Sequence, residues 1–100
     1  MLKTIFTLLF CFAFTNAVAD ITKGKAIYTT RGCGSCHGPT GKSLNPAVYP
    51  ALAGKPKKQL LEKFKDYRSG KIVNPFMNSM SKSVLDNEIA DLFSYIETLK

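Results

Sequence analysis

The pentapeptide Cys33-Gly34-Ser35-Cys36-His37 constrains this chain more than any other feature, because it sets two thiols three positions apart with an imidazole directly after the second. Such a set has three chemical uses: a dithiol–disulfide redox centre, part of a metal site, or the attachment point of a haem. In the last, each thiol adds across a vinyl group and the imidazole is held against one face of the iron. A dithiol oxidoreductase carries its CxxC at the end of a strand in an α/β fold, and no strand pattern is readable here. A structural zinc site needs four ligands, yet beyond the pentapeptide the sequence holds one more cysteine, Cys11, and no other histidine. Haem attachment accounts for the order of the three residues and for the absence of other thiols downstream. The fold must then wrap a flat ring.

Lys3 precedes an apolar run from Ile5 to Phe14, and Ala17-Val18-Ala19 offers a small-x-small cleavage site. Residues 1–19 therefore read as a cleaved secretory signal peptide and residues 20–100 as one domain. The uncharged stretch from Thr4 to Ala19 is short for a bilayer span, and Phe10 is too bulky for the position before a lipidated Cys11. A periplasmic or otherwise exported, soluble location is expected, with no stable membrane insertion after cleavage. The 81 residues left carry 13 of the 14 Lys+Arg against 7 Asp+Glu, a formal charge of +6, since Lys3 and Cys11 leave with the signal. A chain of this size buries a small core and is often helped by a staple or a cofactor. A disulfide within CxxC closes too small a loop to serve as that staple. An exported haem protein seldom meets nucleic acid, so that use of the positive charge is not expected.

Apolar residues recur at helical spacing in three segments, and the chain reads as all-α. The first runs from about Thr22 to Arg31, with Gly24, Ile27 and Tyr28 on neighbouring turns and the CxxCH at its C-terminal end. Gly24 costs a helix roughly 1 kcal/mol against Ala, which points to close approach by another helix. The second, Pro56 to Ser69, begins with Pro in its first turn, stops at Gly70 and lines up Leu60, Leu61, Phe64 and Tyr67. The third, from about Leu85 to Leu99, sets Ile89, Leu92, Phe93 and Ile96 on one side, with Asp86, Glu88 and Asp91 near its positive end. Loops are expected at His37–Lys55 and Gly70–Ser83, both available to wrap the cofactor.

A haem iron with one imidazole has a second face, and what fills it separates electron transfer from gas or peroxide chemistry. The soft donors left are Met77 and Met80, both placed by this reading in the loop after the second helix. Each lies far enough beyond His37 for the chain to pass around the ring. Core methionines filling irregular space are the plainer use of either residue.

With these pieces in order, the chain resembles a small monohaem class I cytochrome c of the c4/c5/c553-like group. The resemblance covers essentially all of residues 20–100. It is carried by Gly24-Lys25-Ala26-Ile27-Tyr28, by Cys33 to Gly38 with Gly41, and by Tyr49-Pro50-Ala51-Leu52-Ala53-Gly54. Tyr67-Arg68-Ser69-Gly70-Lys71, Met77-Asn78-Ser79-Met80 and Glu88-Ile89-Ala90-Asp91-Leu92 with Tyr95 complete it.

The resemblance implies three main helices wrapped around one covalently bound haem c, the first and last crossing at a Gly/aromatic contact that fits Gly24 and Tyr28 against Leu92, Tyr95 and Ile96. It implies thioether bonds at Cys33 and Cys36, His37 as proximal iron ligand, and the Pro50 carbonyl as hydrogen-bond acceptor for the other His37 ring nitrogen. Aligned on Ile89-Ala90-Asp91-Leu92, Met77 rather than Met80 falls at the distal-ligand position. The chain departs from the pattern at Lys55, where glutamine is common, and at Leu85, where a serine commonly caps the last helix; Ser83 or Asp86 would cap it instead.

The function so implied is a one-electron carrier shuttling between larger redox proteins, not an enzyme. A haem subunit dedicated to one dehydrogenase or oxidase, or a haem sensor with a labile sixth ligand, are the alternatives. Lys42, Lys55, Lys57, Lys58, Lys63, Lys65 and Lys71 are either ordinary solvated surface or a means of steering toward acidic partners.

Overall fold

The computed structural model describes residues 19–100. The signal-peptide reading of Lys3, Ile5 to Phe14, Cys11 and Ala17-Val18 lies outside the described residues. Five helices follow in order: α1 (Ile21–Thr30), α2 (Gly34–His37), α3 (Lys57–Ser69), α4 (Pro75–Ser83) and α5 (Asp86–Glu97), with no strand among the described residues.

Asp20 starts α1, its Oδ1 accepting from the Lys23 amide at 3.1 Å. The helix ends in a Schellman turn: Gly32 adopts φ 77°, its N–H reaches the Thr29 carbonyl at 3.3 Å, and the Cys33 N–H reaches the Tyr28 carbonyl at 3.1 Å. A residue with a Cβ would resist that left-handed conformation. In α3 the expected stripe is present, Leu60 and Phe64 buried and Leu61 half-buried, and Gly70 at φ 83° ends it. Pro56 sits at the cap position rather than inside the helix.

The second expected loop, Gly70–Ser83, is largely helix. Asn74 caps α4 by accepting from the Phe76 and Met77 amides, both at 3.1 Å, and Pro75 supplies the preset φ of a first helical position. Met77 and Met80 are therefore on a helix, not in a loop. The Asn-Pro pair was the signal, masked by the shortness of the segment. α5 departs in its cap as well. Neither Ser83 nor Asp86 caps it; Leu85 holds the cap position without a side-chain acceptor, and Glu88 Oε1 reaches back to the Leu85 amide at 2.9 Å.

The core lies where α5 meets α1 and α3. Ile27, Tyr28, Leu60, Phe64, Val84, Leu92, Phe93 and Ile96 are buried there. Phe64 and Phe93 meet edge to face with centroids 5.1 Å apart, and Tyr28 and Tyr95 do so at 5.5 Å. At the α1–α5 crossing a Cβ on Gly24 would lie 2.0 Å from the Asp91 carbonyl oxygen, so no other residue fits.

Two arginines tie the α4–α5 junction to the earlier helices. Arg31 donates to the Ser83 carbonyl and to Glu88 Oε1 at 2.8 Å. Arg68 donates to Asp86 at 2.5 Å and to the Val84 carbonyl at 3.3 Å. α4 is fixed to the end of α3 by Asn78, whose Nδ2 donates to the carbonyls of Tyr67 at 2.7 Å and Ile72 at 2.8 Å.

Candidate functional site

The Schellman turn at Gly32 delivers the chain straight into α2, so the CxxCH is itself a turn of helix. The His37 N–H donates to the Cys33 carbonyl at 3.0 Å, and the Gly38 N–H to the Gly34 carbonyl at 3.0 Å. Helical spacing puts Cys36 at i+3 and His37 at i+4 from Cys33, so both thiols and the imidazole share one side of the turn. Burial pushes the Cys33 thiol pKa up, which keeps it protonated and disfavours reaction as a free thiolate.

His37 is only 8% exposed. Its Nδ1 is 2.7 Å from the Pro50 carbonyl oxygen. A carbonyl only accepts, so Nδ1 carries a proton, and Nε2 is the nitrogen left to act as a ligand. Pro50 is held in reach by a loop that Ser43 organises. The Ser43 amide donates to the His37 carbonyl at 2.7 Å, its hydroxyl donates to the Tyr49 carbonyl at 2.6 Å, and it accepts the strained φ of 70° that this requires. Further along, Leu52 and Ala53 donate to the Gly41 carbonyl, and Gly54 to the Leu99 carbonyl at 3.0 Å, which ties the loop to the end of the chain.

Tyr28 connects this loop to the core. Its hydroxyl donates to the Gly38 carbonyl at 2.5 Å, and burial, followed by the neighbouring Cys33 and Tyr95, pushes its pKa up to about 12. The donor therefore stays protonated far above neutrality.

On α4, Met77 is one turn before Ser81 and two turns before Val84, both fully buried, so it lies on the inward stripe. Met80 is in turn one turn before Val84, and its sulfur is 3.8 Å from the Ser83 hydroxyl. Both methionines are half-buried. Phe76, beside Met77, is 85% exposed and Val73 is 83% exposed; Leu44 and Val48 are also exposed in the loop that carries Pro50.

Ser43, Asn74, Asn78 and Arg31 were missed in the sequence. Asn74 was readable from Asn-Pro. Arg31 acts on the Ser83 carbonyl 52 positions away, and Ser43 and Asn78 act on backbone carbonyls across loops, pairings of which composition carries no trace.

The donor set fits the expected cofactor. Two thiols and an Nδ1-protonated imidazole on one turn are what covalent haem attachment needs, and among the described residues no cluster of three or more His, Cys, Asp or Glu is arranged to hold a metal ion instead. An all-helical chain folded around this turn defines a covalent haem domain. A sequence model of the cytochrome c family matches residues 21–100, and the chain belongs to that family, with haem c as its covalently attached cofactor.

The chain is 31% identical over 80 residues to cytochrome c4 of Azotobacter vinelandii, covering 76% of this chain and 38% of that protein. It is 30% identical over 99 residues to cytochrome c-553 of Helicobacter pylori strain J99, covering 99% of this chain and 100% of that protein. The solved cytochrome c4 of Acidithiobacillus ferrooxidans superposes with a TM-score of 0.69 at 28% identity, over 81% of this chain and 50% of that one. The chain thus spans half or less of the length of the c4 relatives it matches and the whole length of the c-553 relative.

Proposed function

We propose that the chain is an exported one-electron carrier whose haem is attached at Cys33 and Cys36 and ligated by His37 Nε2 and Met77 Sδ, after cleavage behind Ala19. The observation that carries this reading is the buried His37, its ring fixed by the Pro50 carbonyl so that one nitrogen alone is free to ligate. α4 supports the choice of Met77 as second ligand. Met77 is on its inward stripe with the Asn74 cap and the Asn78 anchor on either side, whereas the Met80 sulfur faces Ser83.

The haem, when bound, supplies reversible Fe(III)/Fe(II) exchange. The chain's own residues set its conditions. The Pro50 carbonyl orients His37 and raises its basicity, a thioether favours the ferrous state, and the two helix-borne ligands leave little to rearrange between oxidation states. Were His37 and Met77 both to ligate the iron, they would leave it no open site for a substrate, so turnover is not part of this reading.

Larger redox proteins are the proposed partners. Leu44, Val48, Val73 and Phe76 are apolar, flank the two ligand-bearing segments in sequence and would border the haem. Lys42, Lys58, Lys63, Lys65 and Lys71 are exposed and would steer acidic partners, while Lys57 is engaged 3.7 Å from Glu97. Among the described residues no helix is long and apolar enough to cross a membrane.

One comparison favours a narrower version. A relative 28% identical over 88 residues is named the thiosulfate dehydrogenase electron acceptor of Stutzerimonas stutzeri. A carrier dedicated to one dehydrogenase would co-purify with it and exchange electrons poorly with others.

Visible spectra of the Met77→Ala and Met80→Ala proteins test the ligation. The weak red band of Met–Fe(III) bonding should vanish from oxidised Met77→Ala and persist in Met80→Ala. Its survival in Met77→Ala would show the assignment to be wrong.

A further inference from the structure

The nitrogen of Asp20 lies 2.7 Å from Asp91 Oδ1, a contact between residues 71 positions apart. In the unprocessed chain that nitrogen is a peptide amide. Cleavage behind Ala19 turns the same atom into an α-ammonium group, with three donors and a full positive charge at neutral pH. We propose that signal-peptide removal turns this amide hydrogen bond into an ion pair between the new α-ammonium of Asp20 and the Asp91 carboxylate, a charge–charge tie between α1 and α5 that only the processed protein has. The proposal rests on the processing reading given above.

Asp91 is placed for this by the close crossing of α1 and α5 at Gly24. Its backbone carbonyl is where a Cβ on Gly24 would clash at 2.0 Å, so its side chain leaves a crossing that cannot slide. The half-buried carboxylate is already ordered against Asp20, and the entropy usually lost in forming a surface pair is largely spent by the helix crossing.

The charges around the new terminus favour the pair on balance. From α1 come the positive end of the helix dipole and Lys23, both unfavourable to an ammonium, and the Asp20 carboxylate, which caps the helix at the Lys23 amide. From α5 come Asp91 and Glu88, which line with Lys23, Ala26, Ile27 and Asn87 an open groove of about 390 Å³ between the two helices. Glu88 is drawn toward Arg31 at 2.8 Å, so Asp91 is the carboxylate left to meet the ammonium.

The position is specific to one residue. Cleavage one peptide earlier would place the charge about 3.8 Å further along the chain, out of contact and replaced by an uncharged amide.

The test uses four haem-loaded proteins made with a removable N-terminal fusion: chains beginning at Asp20 and at Ala19, each with Asp91 or Asp91→Asn. The α-amino group is titrated by NMR and stability is read from urea midpoints. In the chain beginning at Asp20, the α-amino pKa should lie above the ordinary value of about 7.7–8.0 and return to it in Asp91→Asn. Asp91→Asn should cost about three- to fivefold more in the folding constant in the Asp20 chain than in the Ala19 chain, where the amide hydrogen bond alone is weakened. Because the folded value is raised, this stabilisation is whole below pH about 7.7 and lost as pH rises through the folded value.

An ordinary α-amino pKa that Asp91→Asn leaves unmoved would overturn the ion pair. The mass of the exported protein separately tests the cleavage point: a terminus other than Asp20 overturns the processing reading, while the produced Asp20 chain still decides the pairing.

Discussion

Replacing Gly24 by Ala should destabilise the protein even though Ala is the better helix former. The added Cβ would lie 2.0 Å from the Asp91 carbonyl oxygen and 2.7 Å from both the Asp91 carbonyl carbon and the Tyr95 Cβ, where ordinary contact starts near 3.4 Å. Two of the three atoms are backbone, so no rotamer change relieves the clash and α1 must move off α5 by more than 1 Å. A gap near 1 Å forfeits a quarter to a half of a packing contact.

Ile27, Tyr28, Leu92 and Ile96 are buried in this crossing. At about 1.5–3 kcal/mol for each, a quarter of their contribution is about 1.5–3 kcal/mol. Helix propensity returns about 1 kcal/mol. The expected net loss is about 0.5–2 kcal/mol, or about 0.25–1 M in the urea midpoint at an m-value of about 2 kcal/mol/M, for the haem-loaded protein followed by far-ultraviolet circular dichroism. Combining Gly24→Ala with Tyr95→Ala should give no rescue, because Ala keeps the Cβ and leaves the Asp91 carbonyl where it is. A midpoint unchanged or raised in Gly24→Ala would refute the close crossing.

Two further substitutions probe the supports of the site. Asn78→Ala removes the amide that donates to the Tyr67 and Ile72 carbonyls and should cost about 2–3 kcal/mol, with faster amide exchange in α4 and a weakened red band; an intact band with unchanged exchange would show that α4 is held by other means. Tyr28→Phe removes the donor to the Gly38 carbonyl and should cost about 1 kcal/mol at neutral pH. Its pH signature has a definite sign. The folded pKa of Tyr28 is pushed from 10.0 up to about 12, so its contribution is whole below pH 10 and is lost as pH rises toward 12, a decline that urea midpoints should detect in the wild type and not in Tyr28→Phe.

The all-helical class was legible because Leu60, Leu61, Phe64 and Tyr67, and likewise Ile89, Leu92, Phe93 and Ile96, repeat at helical period and leave no strand alternation. Gly24 announced a close contact because a helix seldom tolerates glycine without one. What escaped notice was α4, a nine-residue helix whose start depends on the Asn74 cap and whose place depends on Asn78 bonding to the end of α3. Short helices draw little from propensity and most of their stability from tertiary contacts, so periodicity reads them poorly. The last helix shows the same limit, since Leu85 cannot cap it and Glu88 substitutes from within.

By itself the sequence determined the chemistry at one end of the site: two thiols and an imidazole in five residues leave few uses, and their spacing is local and covalent. Only the tertiary structure decided how those groups are held. Ser43 sets the loop that brings the Pro50 carbonyl to His37, and Arg31 and Arg68 gather the carbonyls between α4 and α5. Asp91 meets both Gly24 and the Asp20 nitrogen. The reason is physical. Each of these pairs a side chain or carbonyl with a backbone group, and every residue has the same backbone, so the partner is chosen by where the chain goes and not by what the residue is.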